Sequence, residues 1–189
     1  MEFKATAKKI DMHTAEALAL FFFSDERPLT GSSGLVDWRL CGQISRLLID
    51  GSVSGDLGER VLLPPQGKIT VDKVPLLGLG LSGAYSFDRY SQTASWVAES
   101  LRRMRITSVA MTLPGLDIVE MDHALAAQKL VDELILHYRD DPDLMSTLSL
   151  ILVVASKKVR EVSAVLERQR RRLADWNPQK SRAPGRANY

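Results

Sequence analysis

One cysteine, Cys41, is present in 189 residues, which leaves no internal disulfide framework and no multi-cysteine zinc site. No apolar run approaches the roughly 18 residues that a membrane-crossing helix needs. The opening MEFKATAKKID has no apolar signal core, so the chain reads as cytoplasmic, without a membrane partner. Histidine is scarce: only His13, His123 and His137 occur. His123 and His137 fall on one expected helix, fourteen residues apart, which separates them by roughly 21 Å along the axis, too far to share a metal. The adjacent acids Asp132/Glu133 and Asp140/Asp141 are neighbours in sequence and are expected to face solvent. A resident metal or other cofactor is therefore not expected.

What is present is a mixture that can fold. Hydrophobic residues make up 45% and charged residues 25%, an ordinary balance for one globular domain. The net charge is +2, unevenly spread. Residues 157–189 hold ten Lys/Arg against three Asp/Glu, and the remainder holds fifteen against twenty. The body is mildly acidic and the C-terminal segment basic. One domain over 1–176 is expected, followed by a basic, disordered tail over 177–189, where Pro, Gly and charge recur without periodicity.

Hydrophobic period gives the elements. EFKATAKK (2–9) alternates Phe3, Ala5 and Ala7 against Lys4, Thr6 and Lys8, as in an edge strand. The unbroken run Ala17 to Phe23 predicts a strand covered on both faces. Val36, Leu40, Ile44, Leu47 and Leu48 form one helical stripe, and a single helix over 34–50 is expected. Ser32 or Ser33 would cap its start and Gly51 would end it. Gly42 falls inside that helix at a cost of about 1 kcal/mol, which a close backbone approach would explain. Short strands are expected in 58–65 and 68–80, then strand–helix alternation: helix 86–105, strand 106–114, helix 120–140, strand 147–156 and helix 157–176. The last strand is the most apolar and is expected to be central. Such alternation predicts a mostly parallel sheet between helices.

The segment from Arg27 to Gly80 resembles the N-terminal domain of the leucine aminopeptidases, the cytosol aminopeptidase family. The matching elements are Gly34, Asp37, the G-x-x-G-E turn of Gly55, Gly58 and Glu59, and the GLG of Gly78, Leu79 and Gly80. The resemblance extends over about 15–155 through the order of elements. It implies a three-layer α/β/α, macro-domain-like fold with a mixed, mostly parallel central sheet. It also implies that peptide-bond cleavage belongs to a separate domain holding two divalent metals, whose NTDAEGR signature does not occur in this sequence. A free-standing, non-catalytic relative is therefore expected. It would act through a homo-oligomer or a protein partner, an aminopeptidase included.

Three other chemistries compete with that expectation. Cys41 as a nucleophile would need a thiolate and a base. Its place beside Leu40 in mid-helix instead suggests a core or boundary cysteine. Trp38 and Arg39 read as packing over a helix flank and meeting a solvated carboxylate. The glycine-rich loop GLGLSGAYSFD (78–88) follows a strand and opens a helix, where free amides suit a phosphate. It lacks the lysine of a P-loop and the spacing of a dinucleotide fingerprint. Macro domains that bind ADP-ribose use such a loop, so a nucleotide-like ligand is the alternative. The candidate ligand-binding residues are Gly78, Gly80, Ser82 and Gly83, with Asp25 and Gly115 expected on the same sheet edge. RQRRR (168–172) lacks interleaved aromatics and reads as a solvated helix end, so nucleic acid is the third and least favoured partner.

Overall fold

The strands line up as β1-β6-β5-β2-β4-β3 in one six-stranded sheet. In chain order the elements are β1 (Glu2–Thr6), β2 (Ala17–Phe22), α1 (Gly31–Arg39), α2 (Gln43–Ile49), β3 (Arg60–Leu63), β4 (Val74–Gly78) and α3 (Phe87–Arg103). There follow β5 (Ser108–Thr112), α4 (His123–Tyr138), α5 (Pro142–Thr147), β6 (Ser149–Val153) and α6 (Val159–Ala174). This computed structural model describes residues 1–174. The tail over 177–189 and the domain limit at 176 lie outside the described residues. Only β3 runs antiparallel, against β4; every other pairing is parallel.

The sheet is sandwiched, as the pattern predicts. One face presents Ala17, Ala19, Phe21, Val109, Met111, Leu150 and Leu152 to α3, α4 and α6. The opposite face presents Leu18, Leu20, Phe22, Val74 and Leu76 to α1 and α2. All six residues of β2 are buried, because the strand lies mid-sheet with a helix layer on each side. The edge position of β1 also agrees. The placement of β6 does not: it lies next to the edge, between β1 and β5, with Ser149, Ile151 and Val153 half-buried. The central positions belong to β5 and β2. Apolarity misled here because the side chains facing away from α6 are incompletely covered.

The expected single helix over 34–50 is two helices. Cys41 (φ 57°) and Gly42 (φ 74°) are both left-handed and break it. Gly42 therefore answers to backbone conformation, which glycine adopts cheaply, and not to a close neighbour; a Cβ there would meet nothing nearer than Arg46 Nη1 at 4.0 Å. The buried Asp37 carboxylate spans the break and accepts from Ile44 N at 2.7 Å and Ser45 N at 3.1 Å, so it caps α2. Neither Ser32 nor Ser33 caps α1. Thr30 holds the N-cap position without a side-chain capping bond, and Ser33 Oγ donates to Phe21 O at 2.6 Å. Cys41 is exposed at the break, not buried in mid-helix.

The G-x-x-G-E turn is a knot of hydrogen bonds. Glu59 accepts from Gly55 N at 2.7 Å and from Ser54 N at 3.0 Å. Gly58 lies against the Trp96 ring, where a Cβ would come within 2.9 Å. Glu16 plays a similar part at the opposite edge of the sheet: it accepts from Lys73 Nζ at 2.7 Å and from Thr107 N at 2.8 Å. These motif residues hold the frame together.

Candidate functional site

Because β2, β4, β5 and β6 are parallel, their carboxyl ends share one edge, where α/β folds place ligands. A cleft of about 440 Å³ opens there. Its walls come from the β1–β2 connection (Ala7, Lys9, Ile10), the start of α1 (Gly31, Ser32, Leu35), the segment after β5 (Leu113, Leu116, Asp117) and the end of β6 (Val153, Val154, Ala155), with His123 at the start of α4. A small corner of about 10 Å³ adjoins it, lined by Glu26, Thr30, Ser33, Gly115, Asp117 and Ile118 among others.

The sequence-predicted residues gather at this edge but do not line the cleft. Gly78 is pressed against the 55–58 turn, where a Cβ would fall 2.2 Å from Asp56 O. Gly80 has φ +74° and its amide donates to Gly55 O at 2.9 Å. Asp25 accepts from Ser82 N at 3.0 Å and from Ser82 Oγ at 2.8 Å. Those bonds hold the Asp25 carboxyl below its ordinary range. Gly83 is exposed with open space about it. Gly115 packs on Tyr85 and Phe23, at 2.7 and 3.0 Å from a would-be Cβ, and lines the small corner. Gly80 and Ser82, expected to offer free amides, thus have theirs bound by the chain itself.

The start of α1 is in part occupied likewise. Glu26 Oε1 accepts from Thr30 N at 2.7 Å and Thr30 Oγ1 at 2.8 Å, and its Oε2 accepts from Phe23 N at 3.2 Å. Asp117 Oδ2 accepts from Ser32 N at 3.3 Å. Carboxylates of this chain stand where the positive end of a helix would otherwise meet a ligand anion. Sequence reasoning brought the loops carrying Asp25 and Gly115 to this edge, but it did not single out Glu26, Asp117, Lys9 or His123 as residues of the site.

Two further polar constellations lie between the helices. Ser95 Oγ lies 3.0 Å from His137 Nε2, and Glu133 Oε2 lies 3.7 Å from the same nitrogen. A nucleophile–base–acid relay needs the acid on the other ring nitrogen, so this is a polar brace between α3 and α4. Glu133 is itself buried and bonded to Lys129 Nζ at 2.6 Å, contrary to the solvated pair expected with Asp132. Asp132 accepts from Gln169 Nε2 at 2.9 Å and ties α4 to α6. Among the described residues no group of three or more His, Cys, Asp or Glu comes together as a metal-holding cluster. No helix among them is long and apolar enough to cross a membrane. Trp38 is 69% exposed and does not pack over the helix flank; Arg39 stacks on its ring and pairs with Asp11 at 2.8 Å.

Sheet order, sandwiching helices and edge cleft define an α/β fold of the macrodomain type. Solved macrodomains share it: one from Trypanosoma brucei in complex with ADP (TM-score 0.68, 8% identity, 87% of this chain and 67% of that one). Another, from Oceanobacillus iheyensis with ADP, gives a TM-score of 0.65 at 12% identity over 90% of each chain. A tomato leucine aminopeptidase mutant matches with a TM-score of 0.62 at 18% identity, over 87% of this chain and 35% of that one. The model of the cytosol aminopeptidase family, N-terminal domain, matches residues 17–146. The chain belongs to that family. A probable cytosol aminopeptidase of Thermosynechococcus vestitus is 27% identical over 158 residues, which is 80% of this chain and 31% of that protein. One of Cyanothece sp. is 26% identical over 114 residues, 60% of this chain and 23% of that protein. The matched region thus spans a quarter to a third of these relatives' length.

Proposed function

We propose that this chain acts by binding and not by hydrolysis, as a non-catalytic relative of the aminopeptidase N-terminal domain in the cytoplasm. Its partners would be other protein chains: further copies of itself or a full-length cytosol aminopeptidase. The observation that carries this reading is the family match over 17–146, within a fold whose motif residues serve the frame. The described residues supply no clustered metal ligands, and the single Ser–His–acid contact has the wrong geometry for a relay. Sedimentation of the purified chain, alone and mixed with a full-length cytosol aminopeptidase, tests it. Self-association or co-sedimentation is expected. A strictly monomeric chain that ignores the enzyme refutes it, as does turnover of aminoacyl-p-nitroanilides with zinc or manganese that survives repurification.

A second reading, small-ligand binding, is favoured by the 440 Å³ cleft at the carboxyl edge of the sheet. The ligand would be nucleotide-like in size. Gly115 would stand beside it, while Gly78, Gly80, Ser82, Gly83 and Asp25 would brace the neighbouring loop. A ligand at 100 times its dissociation constant stabilises by about 2.7 kcal/mol, so a thermal-shift series reads it out.

A further inference from the structure

We infer that Asp117, backed by Glu26, is a specificity determinant that keeps phosphate-bearing ligands out of the edge cleft. The inference rests on the second reading above, that the cleft receives a small molecule. A phosphate at this edge would seek the amides that open α1. Two of the amides at that end are taken. Ser32 N donates to Asp117 Oδ2 and Thr30 N to Glu26 Oε1. Asp117 stands so close to Gly31 that a methyl group there would lie 2.9 Å from Oδ2. Glu26 and Asp117 line the same corner, whose free space of about 10 Å³ is at the lower limit for one water.

An entering phosphate would therefore meet two negative charges and almost no room at that corner. Lys9 supplies one positive charge elsewhere in the lining, and His123 lies at the start of α4. Neither displaces the carboxylates from the helix end. The rest of the lining is largely apolar, with Ile10, Leu35, Leu116 and Val153. That composition suits the uncharged part of a ligand. Asp117 is exposed and makes one hydrogen bond at 3.3 Å, so removing it leaves the core untouched.

The experiment is calorimetric titration of the full chain with ADP and with adenosine, for wild type, Asp117→Ala and Glu26→Gln/Asp117→Ala, each checked for folding by circular dichroism. Wild type is expected to favour adenosine over ADP. Asp117→Ala is expected to bind ADP at least tenfold more tightly than wild type does, with adenosine affinity little changed. Wild type that binds ADP as tightly as the folded Asp117→Ala variant overturns the inference while leaving the cleft a ligand site. Folded chains that bind neither compound in any variant overturn the small-ligand reading and the inference with it. If Glu26→Gln/Asp117→Ala loses its fold, the comparison of wild type with Asp117→Ala decides alone.

Discussion

Replacing Gly78 by alanine should separate a ligand glycine from a packing glycine. Its backbone does not need a left-handed conformation; the constraint is space. A Cβ at Gly78 would lie 2.2 Å from Asp56 O, 2.6 Å from Gly55 C and 2.8 Å from Gly55 O. Carbon atoms in good contact sit about 3.5–4.0 Å apart, so the 55–58 turn would have to move by an ångström or more. That turn is held by Glu59 on Ser54 N and Gly55 N, and by the ladder bonds Gly58 N to Gly78 O at 3.1 Å and Gly78 N to Glu59 O at 2.9 Å. Overpacking alone costs about 1–3 kcal/mol, and each hydrogen bond lost adds about 1 kcal/mol. We expect Gly78→Ala to destabilise by about 3 kcal/mol. With a urea slope near 3 kcal/mol/M, the midpoint falls by about 1 M. Gly83→Ala is the control, because nothing lies within 4 Å of its Cβ position; it should leave stability level or raise it by up to about 1 kcal/mol. Urea titration followed by far-UV circular dichroism measures both. A Gly78→Ala midpoint within experimental error of wild type would refute the packing argument and return that glycine to the ligand candidates.

The same titration reports on other joints of the frame. Partial burial pushes the Glu16 carboxyl up, but Lys73 and the Thr107 amide outweigh it and hold it below its ordinary 4.5. The unfolded chain then binds the proton more readily, so this stabilisation is complete above about pH 4.5 and fades as pH falls through the lower folded value. Glu16→Gln should flatten that slope; an unchanged urea–pH profile would argue against it. Asp37→Ala removes the α2 cap and should cost about 2–3 kcal/mol, visible as a Tm drop of roughly 4–12 °C for a chain of this size. Cys41→Gly relieves a left-handed non-glycine residue and should stabilise by about 0.5–1 kcal/mol; a urea midpoint at or below that of wild type refutes it.

Most of the architecture was legible because one physical signal governed it. The stripe of Tyr90, Ala94, Val97, Ala98 and Leu101 announced α3, and the same period announced α4 and α6. The run Ala17 to Phe23 announced a doubly covered strand. The break at Cys41–Gly42 escaped because Val36, Leu40 and Ile44 keep helical spacing across it: both short helices pack on the same cluster. Asp37 carries the missing signal, an acid reaching seven residues forward to cap a new helix. The cleft was harder still. The parallel strands bring the loops carrying Asp25 and Gly115 to one edge, as expected, but Ser32 meets Asp117 across 85 residues of chain, a pairing for which a one-dimensional pattern contains no spacing rule. Glycines drew attention to 78–83, whereas the acids that occupy the edge amides lie in ordinary polar loops.

The pairing of β1 with β6 sets a condition on how the sheet can be completed. Glu2 meets Ser149 and Thr6 meets Val153, so almost the whole described chain lies between the two strands. Every other neighbour in the sheet can zip from a nearer start. Closing so long a loop before its contacts reward it slows folding. Until β6 arrives, Phe3 and Ala5 have no ladder and no α6 to lie against. A nascent or stretched molecule would therefore carry a loose, half-apolar ribbon at one end, the part most open to capture by a chaperone or by a neighbouring chain in the same unfinished state.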